Sequence, residues 1–331
     1  MGQPAHELAP DSRLAPLEWS SFTRVPLKRR LYSRETYFRE ALSQARMALA
    51  ESELRAALRF GALLLVKPDG LVAGKASAVL KYLRANNYSV LAVERPVFTR
   101  FHWRELWRYQ LNCATLDRLA VNDVVLRDES LLLFLRCDAN LDVPASVQLS
   151  LQKGPSDVFA QQPDCLRRVL GQPNRVLSFI HVADEPADII RDLGVLLEPP
   201  TQYRVLSAFR SGCMPPQDAE LLRKTIIESD ACARDLHAQG ALERVEAQVL
   251  SAKDATHSEA LQRVKVELAR MRRGERISWR AFTTSIAESD ISLDRWDLAS
   301  LGAQFVVYDK PGVAKLVQGV DSKLWYDRSP D

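Results

Sequence analysis

Between Gly61 and Leu197, short apolar runs of strand length alternate with helical periods, and no other feature limits the available folds as strongly. Ala62 to Val66 is such a run; a Pro68-Asp69-Gly70 turn follows, then a helical period through Ala76, Val79, Leu80 and Leu83. Ser89 to Phe98 reads as a second strand, His102 to Leu111 and Leu116 to Leu126 as helices, and Leu131 to Cys137 as a third strand. Val143 to Gln152 predicts a helix and Val176 to His181 a short strand. Ala187 to Leu197 predicts an amphipathic helix with Asp184 as its N-cap. The order is β-α-β, helices, β-α-β. It predicts an α+β fold with a ferredoxin-like four-stranded antiparallel sheet and packed helices, followed by a mainly helical C-terminal region. That fold serves many unrelated functions, so function has to be read from individual side chains.

A chain of 331 residues is long for one compact domain. Residues 1–59 read as an N-terminal extension, in which Phe38, Leu42, Ala45 and Leu49 line one face of a long helix from Ser33 to Phe60. Met1 to Pro26 mixes polar groups with prolines, lacks the apolar core of a signal peptide, and is expected to wrap the surface or remain mobile. Residues 60–200 form the sheet-bearing domain, closed by Glu198-Pro199-Pro200. Residues 201–331 read as mainly helical from Gln217 to Arg273, with a β-hairpin around Lys310-Pro311-Gly312.

With 47% hydrophobic and 26% charged residues, the composition is that of a soluble globular protein. The apolar runs fall well short of the ~20 residues that span a bilayer, which predicts no membrane partner, and without a signal-peptide core in Met1 to Pro26 a cytoplasmic location is expected. Five scattered cysteines lack metal-ligand spacing, so reduced thiols and no metal site are expected. A net charge of +3 does not require a polyanionic partner. The basic stretches Arg24 to Arg34 and Arg263 to Arg276 read as solvated faces, which leaves nucleic acid a weak reading.

Two places carry candidate chemistry. Lys67 ends the first strand, where its ammonium can meet a phosphate. His181 ends the last strand, just before a helix on which Asp184, Asp188 and Asp192 recur every four residues. A carboxylate from that row can fix the imidazole tautomer and leave the other nitrogen nucleophilic. The same spacing also fits an acidic face turned to solvent.

These residues resemble the nucleoside diphosphate kinase family over residues 60 to 197. The motif Lys67-Pro68-Asp69-Gly70 after the first strand and Ile180-His181 before an acidic helix start match the family's two ends. The resemblance implies that His181 is the phosphate acceptor and that Lys67 holds the phosphate in transit. Tyr109 falls on the family's active-site tyrosine, Asp192 on the glutamate bonded to the imidazole, and Arg167 on the β-phosphate clamp, with Arg168 the alternative. Ser156 lies near the family's threonine, and Lys153 is a substitute for a second arginine expected near Ser150. Leu116 stands where the family stacks the base, and Ser178 replaces its asparagine.

Val182 and Ala183 replace the family's glycine and serine after the histidine, and are expected to narrow the approach to His181. The resemblance implies a phosphotransferase that moves the γ-phosphate of ATP, bound with Mg2+, through a phosphohistidine to a nucleoside diphosphate or related acceptor. It further implies a homo-oligomer. A catalytically degenerate nucleotide-binding or interaction module is the second reading, favoured by the Val182-Ala183 replacement.

Overall fold

The computed structural model describes residues 18–251, 259–319 and 322–326, so most of the Met1 to Pro26 stretch lies outside the described residues. The chain is α+β, built on a four-stranded antiparallel sheet in the order β2-β3-β1-β4. The strands are β1 (Gly61–Val66), β2 (Tyr88–Glu94), β3 (Leu131–Cys137) and β4 (Ile180–Val182). β1 is buried along its whole length, as its unbroken apolar run requires. It pairs with β3 from Gly61 opposite Arg136 to Val66 opposite Leu131, and with β4 so that Leu65 stands opposite His181.

The helices before and around the sheet are α1 (Pro26–Tyr32), α2 (Thr36–Ala48), α3 (Glu51–Phe60), α4 (Pro68–Val72) and α5 (Ala76–Ala85). Then come α6 (Arg100–Leu106), α7 (Leu116–Val125), α8 (Ala145–Lys153), α9 (Leu166–Val169) and α10 (Pro186–Leu196). The chain continues through α11 (Pro199–Ser211), α12 (Pro216–Ala231), α13 (Ala238–Ser251), α14 (Glu259–Arg272), α15 (Trp279–Glu288), α16 (Arg295–Phe305) and α17 (Lys323–Tyr326). α11 and α12 pack on β2, and α16 packs on α7, so one buried apolar cluster continues from Phe22 to Val306.

Several elements differ from the sequence expectation, each for a local reason. The predicted helix from Ser33 to Phe60 is broken into α2 and α3 at Leu49 and Ala50, whose backbones are extended. Leu49 turns into the core there, and the Ala50 N–H is satisfied by the Glu53 carboxylate at 2.8 Å. The Pro68-Asp69-Gly70 turn is the first turn of α4, with Pro68 at the position where a missing N–H costs nothing. The second strand stops at Glu94, two residues before Pro96. The helix expected from His102 to Leu111 spans Arg100–Leu106. The N-cap of α10 is Glu185, not Asp184; its N–H donates to Asp188 Oδ2 at 2.9 Å.

No hairpin forms around Lys310-Pro311-Gly312 among the described residues. That segment runs back over residues 109–115 instead, through Lys310 N–H to Cys113 O (2.7 Å), Thr115 Oγ1 to Val307 O (2.5 Å) and Val317 N–H to Tyr109 O (3.1 Å). Partners across the fold took the backbone groups that a local turn would have paired.

Helix α10 packs against α2, α6, α8, α11 and β1, so it has no solvent face. Asp188 is 7% exposed and Asp192 2%, which removes the reading of an acidic surface row. Buried carboxylates need partners, and these have them. Asp188 accepts from Lys28 Nζ at 2.5 Å and Tyr32 Oη at 2.7 Å, which pins α1 to the start of α10. Arg191 donates to Glu35 Oε2 at 2.6 Å. Lys28 is therefore a buried structural cation, where the Arg24 to Arg34 stretch was expected to be a solvated face.

The last expected strand shortens to three residues because Phe179 adopts φ 61°, a left-handed conformation that a bulky side chain rarely takes. The Lys67-Pro68-Asp69-Gly70 motif holds it there. Asp69, with no exposed surface, accepts from the Phe179 N–H at 2.9 Å and from Lys67 Nζ at 3.3 Å, while the Lys67 N–H donates to Phe179 O at 2.8 Å. Gly70 completes the fit: a Cβ there would stand 2.5 Å from Phe179 O and 2.9 Å from Val66 Cγ1. Gly70→Ala is accordingly expected to cost about 2 kcal/mol through overpacking against backbone. Urea unfolding followed by circular dichroism should show a lower midpoint; an unchanged midpoint would mean that this contact carries no strain.

Candidate active site

Between α7, the loop after α8, and β4 lies a cavity of about 520 Å³. His181 sits at the middle of β4, whose flanking residues Ile180 and Val182 are buried in the sheet. The period of two therefore turns His181 to the opposite side, where its side chain is 18% exposed and forms part of the cavity wall. Its Nε2 stands 2.8 Å from Asp192 Oδ2, and its Nδ1 lies 3.3 Å from Trp107 Nε1. The indole has only a hydrogen to offer, so Nδ1 accepts from Trp107 and Nε2–H donates to Asp192. Only the neutral Nε2–H tautomer makes both bonds. Trp107 meets the imidazole edge to face, with centroids 5.5 Å apart at 83°. Burial pushes the Asp192 carboxyl upward, and the bond from His181 pulls it back.

Cations line the rest of the wall. Lys67 emerges from the end of β1, is buried, and contacts Asp69 Oδ2 and Val176 O at 3.3 Å each. Burial pushes its ammonium pKa down, Asp69 opposing. Arg167, on α9, donates through Nη1 to Gly154 O at 2.7 Å, and its buried Nε has no partner among the described residues. Lys153 Nζ lies 2.8 Å from Asp184 Oδ1, which also accepts from Ser150 Oγ at 2.6 Å. Burial pushes the Asp184 carboxyl up, but the ammonium groups of Lys153 and Lys28 overcome it and hold the carboxyl well below the usual range.

Of the residues singled out in the sequence, His181, Lys67, Asp192, Arg167, Ser156 and Ser178 line this one cavity, with Lys153 and Ser150 beside them. Between the two arginine alternatives, Arg167 belongs to the wall and Arg168 is exposed. Tyr109 is not part of it. Its ring stacks on Tyr32 at 6.2 Å and its hydroxyl donates to Glu35 Oε1 at 2.5 Å, because Glu35 and Arg191 form a buried pair that draws it in. The place beside the imidazole falls to Trp107, two residues earlier. Leu116 is also outside: it begins α7 and is 62% exposed. Val182 and Ala183 do not narrow the approach, since both are fully buried and absent from the cavity wall.

Sequence reasoning missed Lys28, Trp107, Arg118, Arg175, Tyr308 and Lys315, all on the wall. Lys28 carried one usable signal, its four-residue spacing from Tyr32 on the same face of α1. The others reach the cavity through tertiary packing that no local pattern encodes.

No protein-family model matches the chain, and no curated protein matches it in sequence. Among the described residues, no group of three or more His, Cys, Asp or Glu side chains could hold a metal ion, and no helix is long and apolar enough to cross a membrane.

The Asp184 pair gives a pH dependence whose sign is fixed. A carboxyl held below its unfolded value of about 3.9 stabilises the fold above that pH and loses the contribution as pH falls through the folded value. Asp184→Asn should therefore cost about 2 kcal/mol at pH 7, a figure discounted for partial exposure of the pair. The gap from the wild type should narrow progressively below about pH 4. Urea titrations at pH 7 and pH 3 measure it; a gap of equal size at both would contradict the assignment.

Proposed function

We propose that the cavity is the active site of a nucleoside-diphosphate-kinase-like phosphotransferase with His181 Nδ1 as the phosphoryl acceptor. The observation that carries the reading is the imidazole itself: Nε2 is tied to buried Asp192, Nδ1 keeps the lone pair, and the ring lines a cavity whose wall also carries Lys67 and Arg167. In the first half-reaction the Nδ1 lone pair attacks the γ-phosphorus of a nucleoside triphosphate, the N–P bond forms, and the bridging oxygen leaves with the nucleoside diphosphate. Nε2–H keeps its proton, and Asp192 stabilises the positive charge that the ring gains. In the second half-reaction a terminal phosphate oxygen of the acceptor attacks phosphorus, the N–P bond breaks, and the imidazole is restored.

Lys67 and Arg167 are placed to offset the charge on the phosphoryl oxygens in transit. The cavity carboxylates are already committed, Asp184 to Lys153, Asp188 to Lys28 and Asp192 to His181. Magnesium is therefore expected to arrive on the triphosphate and to be held through its phosphates. The strand order, with β1 and β3 inside and β2 and β4 at the edges, supports reading the core as ferredoxin-like.

One observation favours a second reading, a nucleotide-binding module without transfer. Trp107 occupies the lone pair that must attack, so the indole has to swing off Nδ1 before the chemistry can begin. The two readings separate when the wild type is incubated with γ-labelled ATP and magnesium. Transfer predicts acid-labile, alkali-stable label on the wild type and none on His181→Ala. Trp107→Phe removes the donor while keeping an aromatic ring, and should label faster by about fivefold, the worth of one neutral hydrogen bond. Absence of label on both the wild type and Trp107→Phe, with ATP still bound, would establish the module instead.

A further inference from the structure

We propose that this cavity recognises its ligand as a chain of phosphates and leaves the nucleobase unread, because the segment from Val307 to Gly319 joins the wall with Lys315 and with a Tyr308 ring that arginines already cover, in place of a free stacking surface. The proposal rests on the reading of the cavity as a phosphate site and names the class of ligand that site takes.

Three observations point the same way. The first is the state of the aromatic rings on the wall. Tyr308 enters the cavity from the C-terminal segment, but the Arg118 guanidinium lies 3.6 Å from its centroid and that of Arg175 4.7 Å away. Tyr32 is stacked on Tyr109 and covered by Arg191 at 5.2 Å. Trp107 is held between Phe98 and His181 at steep angles. A base entering here finds rings already engaged by neighbours, and Leu116, where the resemblance placed the base, faces solvent.

The second observation is the supply of unpaired charge. Arg167, Arg175 and Lys315 line the cavity, and among the described residues none has a carboxylate within 4.0 Å. Arg118 by contrast is tied to Asp309 at 2.5 Å and serves the wall by holding Tyr308. Arg167 interacts electrostatically with Lys67 on one side and with Tyr308 on the other, so the cations continue from the neighbourhood of His181 to the C-terminal segment. A run of positive groups of this kind suits an extended polyanion, whose charges repeat at short intervals.

The third is that the closing segment is fastened along its length. Thr115 N–H donates to Tyr308 O at 3.3 Å, Lys310 N–H to Cys113 O at 2.7 Å, Asn112 Nδ2 to Ala314 O at 2.8 Å, and Leu316 N–H to Asn112 Oδ1 at 3.0 Å. These bonds tie it to residues 112–115, just before α7. It is a fixed wall of the cavity.

Calorimetric titration of the full-length chain with inorganic tripolyphosphate, ATP and adenosine, each without magnesium, tests the inference. His181→Ala is titrated alongside the wild type, so that binding is read without any transfer. Tripolyphosphate is expected to bind within about fivefold of ATP, adenosine at millimolar concentration should leave ATP binding unchanged, and Arg175→Ala with Lys315→Ala should weaken both anions by about tenfold. Tripolyphosphate binding more than about fivefold weaker than ATP, or competition by adenosine, would overturn it. So would anion affinities unaltered by the double substitution. The outcomes also separate this inference from the transfer reading. Tight tripolyphosphate binding without phosphohistidine label removes transfer alone, whereas label with ATP-specific binding removes the phosphate-chain inference alone.

Discussion

The enclosure of α10 is the constraint on which the remainder of the structure depends. A helix carrying Asp188, Arg191 and Asp192 on an otherwise apolar frame is covered on all sides, so each charge must meet an opposite charge or a donor inside the protein. Lys28 and Tyr32 come from α1, Glu35 from the residue before α2, and His181 from β4. Satisfying the helix therefore fixes the N-terminal segment, draws Tyr109 away from the cavity, and orients the imidazole. One electrostatic requirement ties the segment from Lys28 to Glu35 to a helix that lies 156 to 160 residues further along the chain.

The same requirement explains why the histidine sits at the cavity wall and not in the core. Asp192 is too buried to remain unpaired, and the middle position of β4 is the one whose side chain leaves the sheet toward it. Holding Nε2 leaves Nδ1 as the only nitrogen with an available lone pair, and Trp107 covers that lone pair with a single long hydrogen bond. A bond of 3.3 Å from a neutral donor is weak enough to be given up, as the proposed transfer requires.

The sheet was legible in the sequence because its signals are local. β3 has its predicted limits and α7 is within one residue of its own, since an unbroken apolar run and a Thr115 cap need no distant partner. Residues singled out by their places at strand and helix ends came together too: His181, Lys67, Asp192 and Arg167 line one cavity. Tyr109 and Leu116 failed for a tertiary reason, because the Glu35 and Arg191 pair and the α7 start decide where those side chains point. The C-terminal contribution could not have been foreseen. Tyr308 and Lys315 reach the cavity through backbone bonds to residues 109–115, and a local hairpin signal pointed elsewhere.

Whether Nδ1 can accept a group depends on which nitrogen of His181 carries the proton, and nitrogen-15 NMR of the imidazole reads that directly. Long-range proton–nitrogen correlations on the unliganded protein near neutral pH should show His181 as the Nε2–H tautomer, with an acceptor-type Nδ1, and Asp192→Asn should disturb that pattern. A proton resident on Nδ1 would contradict it, because Nδ1 would then have no electron pair to give.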